Sequence, residues 1–197
     1  MAALQVIETL RKTGSETFLC EGRSTSANLL SFWQWSSSDL IGNTDRGVLA
    51  EFIVGTELGV TRYRIRKGWD AFDLQTPEGI KVEVKSGAYI QSWKQEKYSV
   101  IQFGIQPTFA WYPETNTFSD EKRRHADVYV FSVLSHKDQD SINPLNLDQW
   151  NFYVLATNVL NRSVGAQKTI TLSSLKKLKP AEVRYGEIYS TIKKTFL

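Results

Sequence analysis

Cysteine and histidine are almost absent from this sequence, and their scarcity removes several chemistries. The single cysteine, Cys20, allows no intrachain disulfide and no multi-cysteine zinc site, and it suits a reducing cytoplasm, where the protein is expected. It reads as a small, buried or half-buried apolar residue. The two histidines, His125 and His136, flank an apolar run and neither has a metal-ligand neighbour. No stretch approaches the ~18 apolar residues of a membrane span. The N-terminus lacks the basic head and apolar run of a secretory signal, so a soluble chain with no membrane partner is expected. Also missing are a Gly-x-x-x-x-Gly-Lys phosphate loop, a Gly-x-Ser-x-Gly elbow, a dinucleotide fingerprint, internal repeats and low-complexity tracts. A net charge of +3 permits a polyanionic partner without announcing one.

What is present is apolar and aromatic enough to build a core, at 41% and 12% of residues. The informative stretch is Trp69 to Lys85, W-D-A-F-D-L-Q-T-P-E-G-I-K-V-E-V-K. Asp70 to Leu74 and Ile80 to Lys85 flank a T-P-E-G turn, in which Pro77 presets φ and Gly79 tolerates φ > 0, predicting a β-hairpin. Alternation puts Ile80, Val82 and Val84 on one face and Lys81, Glu83 and Lys85 on the other. Paired carboxylates repel unless a cation neutralises them, and hard divalent ions prefer oxygen ligands. Such an ion lowers the pKa of bound water and polarises phosphoryl oxygens, and a nearby ammonium orients that water or steadies developing charge. An Asp with Glu-x-Lys across a hairpin is therefore a candidate phosphodiester-hydrolysis site.

Asp73, followed across the hairpin by Glu83-Val84-Lys85, resembles the motif of the restriction-endonuclease-like, PD-(D/E)XK nuclease superfamily. The upstream G-V-L-A-E-F-I-V-G and downstream S-G-A-Y-I-Q-S-W segments are similar to the family's surroundings, over about residues 45 to 95, and Ala126 to Leu134 fits a core strand. Phe72 stands where the family often has proline. The resemblance implies an α/β fold, a mixed central β-sheet flanked by helices. It implies a single nuclease-like domain: a helical arm at 1–42, a catalytic core at 43–135, and a strand and helix extension at 136–197. It further implies a metal-dependent endonuclease acting on DNA, with Mg²⁺ or Mn²⁺ on Asp73 and Glu83 and water oriented by Lys85. Glu51 matches a helix position that adds a carboxylate to the metal site, and Gln91 one beside the Glu-x-Lys strand that touches metal water or DNA. Asp70 competes with Asp73, and the resemblance favours Asp73. Many members act as dimers, so a homodimer is an expectation of the same kind.

Each candidate also has a plainer reading. Glu51, set in an apolar helical pattern, can be an exposed residue paired with Arg46 or a lysine, and Gln91 an ordinary surface amide. Thr61 to Lys67 alternates as a strand with Arg62, Arg64 and Arg66 on one face, either a phosphate-contacting ladder or a solvated edge. A short helix is expected over 88–95, and Trp93, Lys94 and Lys97 are candidates to face a DNA backbone, Lys94 as a phosphate contact. Two more helices are expected in the arm, over 2–12 and after Ser26-Ala27-Asn28, the second packing its aromatics into a core; residues 15–24 read as loop. The helix from Asn43 or Thr44 to Gly59 should bury Val48, Leu49, Phe52, Ile53 and Leu58, with Gly47 and Ala50 allowing close approach. The aromatic segment 107–124 is a candidate DNA flap or a cover for the sheet. Against the nuclease stand two other readings: a catalytically silent nuclease-fold protein binding nucleic acid or a protein partner, and a surface ion-pair lattice.

Overall fold

The computed structural model describes residues 4–196. Residues 4–13 carry no regular secondary structure, then a hairpin of β1 (Thr17–Cys20) and β2 (Arg23–Asn28) leads into helix α1 (Leu29–Ser36). The helix expected over 2–12 does not form across its described part, residues 4–12, where Leu4, Ile7 and Leu10 are exposed and have no core to bury against. Residues 15–24, expected as loop, form the hairpin instead. Glu21 and Gly22 both take positive φ, as a two-residue primed turn requires. Asn28 caps α1 as expected: its side chain accepts the Ser31 N–H and the Ser31 hydroxyl accepts the Asn28 N–H. The helix nevertheless buries no residue, so Phe32, Trp33 and Trp35 are not core.

Helix α2 (Asn43–Glu57) follows, ended by Gly59 at φ 73°. It buries Ala50, Ile53 and Val54, whereas Val48 and Phe52 are exposed, a correction to the expected apolar stripe. Close approach is made at Gly55, where a Cβ would sit 3.0 Å from Thr61 Cγ2 and 3.1 Å from Leu74 Cδ2; Gly47 faces open space. Residues 61–67 are not a strand. Arg11 donates to the Thr61 and Arg64 carbonyls at 2.5 and 2.8 Å, taking acceptors that a strand would offer to a neighbour.

A hairpin forms from β3 (Leu74–Gln75) and β4 (Lys81–Ala88), antiparallel and joined through Gly79 at φ 93°, but its first arm is shorter than the expected Asp70 to Leu74: residues 70–73 are not strand. No helix forms over 88–95, where the Gln91 and Gln95 side chains bond loop backbone instead. Then come β5 (Gln102–Gly104), a small hairpin of β6 (Trp111–Tyr112) and β7 (Thr117–Phe118), and β8 (Val128–Leu134), buried at every position. The chain closes with β9 (Trp150–Ala156), α3 (Thr157–Val164), β10 (Thr169–Thr171), α4 (Leu172–Lys177), β11 (Ala181–Val183) and α5 (Ile188–Phe196).

The central sheet has the order β11-β9-β8-β4-β3 and is mixed: β4 and β8 run parallel, the other pairs antiparallel. β9 and β11 thus add two strands to the sheet that carries the hairpin. One face carries Val82, Val84, Val128, Val130 and Val154 against α2 and α5. The other carries Tyr129, Phe131, Tyr153 and Leu155 against residues of β5, β10, α3 and α4, with the Phe103 and Phe131 rings 4.9 Å apart. Among the described residues this gives an α/β layering with a mixed central sheet and five α-helices. Alternation along β4 sends Val82 and Val84 into the first core and leaves Glu83 and Lys85 on the opposite face, at the sheet's edge beside β3.

Candidate active site

Three charged side chains come together where β3 and β4 meet. Asp73, just before β3, accepts the Val84 backbone N–H through Oδ2 at 2.7 Å. On either side of Val84, Lys85 Nζ donates to Glu83 Oε1 at 2.6 Å. Asp70 does not join them through any such bond; it is exposed. Loss of water around the Asp73 carboxyl, together with the nearby charges of Glu83 and Glu51, pushes its pKa up to about 7, against the opposing pull of the Val84 N–H and Lys85.

Glu51, from α2, belongs to the same electrostatic cluster but is engaged by Arg66. The Arg66 Nε and Nη2 donate to its two oxygens at 2.5 and 2.9 Å. The partner is thus Arg66, not the Arg46 suggested by helical proximity. Arg46 is buried and serves elsewhere, donating to Ile41 O, Asn43 Oδ1, Ser86 Oγ and Gln91 Oε1. That network pins the start of α2 to the far end of β4, and it consumes Gln91, whose amide also donates to Ala88 O and Ser99 Oγ. Gln91 is therefore tied to Arg46 and its own loop rather than to Asp73, Glu83 or Lys85. Sequence reasoning named Arg46 only as a partner for Glu51 and missed this buried network.

Asp73 and Glu83 line different clefts. The first, about 400 Å³, is lined by Glu51, Asp73, Asp70, Arg64 and Arg66, with Phe52, Phe72 and Trp33 among its apolar walls and Leu10 and Arg11 of the N-terminal segment also in its lining. The second, about 380 Å³, holds Glu83 and Lys85 with Tyr129, Arg124, His125 and Lys168. Arg62 and Lys94 are exposed and line neither. Of the arginine ladder, Arg64 donates to Gln75 and Arg66 to Glu51, so two of the three point at the hairpin and helix α2.

Among the described residues no three His, Cys, Asp or Glu side chains are grouped to hold a metal ion. After loss of water, the charge of Glu83 is the next largest cause of the raised Asp73 pKa, and repulsion of that kind is what a divalent cation relieves. Mg²⁺ commonly binds through one or two carboxylates while keeping several waters, so the pair fits such an ion without a third ligand.

Known families place the chain in a class, the endonucleases. It belongs to the bacteriophage T4 endonuclease IV family, whose profile matches residues 2–174. The matched span contains α2, the hairpin, β8 and both clefts. No curated protein matches the chain significantly. Among the described residues, no helix is long and apolar enough to cross a membrane.

Proposed function

We propose that this chain is a metal-dependent endonuclease that hydrolyses DNA phosphodiester bonds at Asp73, Glu83 and Lys85, on a core of the restriction-endonuclease type. The observation that carries this reading is the Asp73–Val84 hydrogen bond, which sets one carboxylate beside the Glu83–Lys85 pair. Family membership supports the reaction class. Asp73 and Glu83 would hold Mg²⁺ or Mn²⁺. Such an ion, when bound, supplies an activated water and polarises a phosphoryl oxygen.

The chain's own groups do the rest. Lys85 donates to the attacking water and steadies charge that builds on the phosphorane. Its ammonium is held by Glu83 in the resting state, so the carboxylate presets where that donor stands. Arg64 and Arg66, on the wall of the first cleft, supply cations for backbone phosphates. Arg66 also keeps Glu51 fixed, which leaves the latter as a neighbouring charge that raises the proton affinity of Asp73. Gln91 assists by way of Arg46, holding the end of β4.

The test is nicking of supercoiled plasmid in Mg²⁺, Mn²⁺ and EDTA. The parent should nick with either ion and not with EDTA, and Glu83→Gln and Lys85→Ala should each lose about 10²-fold or more. A parent that binds DNA and cuts no form of it would point instead to a silent binding protein.

A further inference from the structure

The second cleft is built around two groups that the hydrolysis itself does not use. Tyr129 is 4% exposed, yet among the described residues nothing hydrogen-bonds its hydroxyl. It is the register partner of Glu83 on the parallel strand, and it lines the cleft. Arg124 is 7% exposed and has no carboxylate partner among the described residues. Its guanidinium donates to Ile105 O and Asn161 Oδ1 at 2.7 Å and to Gln167 O at 3.3 Å. Three of its five N–H groups are thereby used, all on neutral acceptors. A buried cation without a counter-charge is costly, and burial accordingly lowers its pKa.

The rim adds charge of the same sign. Lys168 is exposed, with no ion pair among the described residues, and its backbone carbonyl is held by Ile105 N–H at 2.8 Å. His125 stands beside it in the lining, its Nε2 2.7 Å from Thr108 O. The one carboxylate in the lining is Glu83, already taken by Lys85. A hydroxyl with no protein partner, an uncompensated guanidinium and a free ammonium around one concavity match the three needs of a phosphate diester: a donor, a buried charge and a rim cation.

We propose that this second cleft binds a backbone phosphate of the DNA strand adjacent to the one being cut, through Tyr129, Arg124 and Lys168. The inference rests on the endonuclease reading for its ligand but not for its residues. Because Glu83 and Lys85 open into the same space, a strand seated there lies in continuity with the reacting centre.

The test is binding of a fluorescent oligonucleotide, duplex and single-stranded, to the full chain in EDTA across a salt series. Tyr129→Phe removes an unpartnered oxygen and leaves the ring packing, so it should fold as the parent does while its Kd rises about 10-fold. Lys168→Ala should lower the slope of log K against log salt by about 0.7 to 0.9, one phosphate contact. Lys194→Ala, on α5 and in neither cleft, reports the effect of losing any one charge. Unchanged Kd and slope in both cleft variants, or an equal slope change in Lys194→Ala, overturns the site. If those variants weaken binding but the parent nicks nothing with Mg²⁺, the endonuclease reading fails and the phosphate site stands. A parent that binds no DNA overturns both.

Discussion

The Val84 backbone N–H donates to Asp73 Oδ2 at 2.7 Å, and Val84 stands between Glu83 and Lys85. One bond thus ties the approach to β3 onto the strand that carries the other two charges. Asparagine can keep that bond through its amide oxygen while losing the charge. Asp73→Asn should therefore unfold no earlier than the parent at pH 8, yet cleave at least about 10²-fold more slowly. Asp73→Ala should lose both, at about 1–3 kcal/mol for the unpaired N–H. Thermal unfolding and plasmid nicking check the pair, and a fully active Asp73→Asn would contradict the assignment.

The raised proton affinity of Asp73 gives stability a defined dependence on pH. The carboxyl titrates near 3.8 in the unfolded chain and near 7 in the metal-free fold. Between those values the folded protein holds a proton that the unfolded chain has released, so this group's contribution is full below about pH 4 and is lost as pH rises through 7. Unfolding curves of the metal-free parent should show this loss and those of Asp73→Asn should not. Mg²⁺ should raise the unfolding temperature more at pH 8 than at pH 5.5, since proton and cation compete for one carboxylate. Identical pH profiles for parent and variant would count against it.

Gly87 lets β4 lie against the second core. A Cβ there would stand 2.7 Å from Ile101 Cγ2 and 3.2 Å from Phe103 Cε1, both buried. Gly87→Ala should cost about 1–3 kcal/mol by overpacking. Because the strand it displaces bears Lys85, nicking should fall as well. A denaturation midpoint equal to the parent's would show that the neighbours yield freely.

The Arg66–Glu51 pair is two-pronged but half in water on the arginine side, with side-chain exposures of 48% and 13%. A double-mutant cycle with Arg66→Ala and Glu51→Gln should give a coupling of at most about 1 kcal/mol. The larger effect is expected on DNA binding, since Arg66 also walls the first cleft. If Arg66→Ala binds DNA as the parent does, Arg66 is a restraint on Glu51 alone.

Local patterns read well where a turn and a burial pattern agreed. The alternation of β4, the turn at Gly79, the Asn28 cap and the apolar run of β8 all formed where the residues pointed. Readings failed where distant groups decided. Leu4, Ile7 and Leu10 have helical spacing yet stay exposed, and in the strand pattern of Thr61 to Lys67 the Thr61 and Arg64 carbonyls are taken by Arg11, some fifty residues away. In the candidate site, Asp73, Glu83 and Lys85 are brought together by one hairpin, while Gln91 bonds Arg46 and Glu51 bonds Arg66, the second a partner that spacing did not name. Tyr129 and Arg124 were illegible because a tyrosine in an apolar strand and an arginine at the end of a charged loop look structural until the cleft between them is seen.

The central claim is that Asp73 and Glu83 share one divalent cation. Calorimetric titration of Mg²⁺ and Mn²⁺ into the parent, Asp73→Asn and Glu83→Gln, at pH 8 with and without DNA, tests it most directly. Binding by the parent that disappears in both variants is the expected result. No heat of binding in the parent even with DNA present, or equal binding in all three proteins, would contradict it.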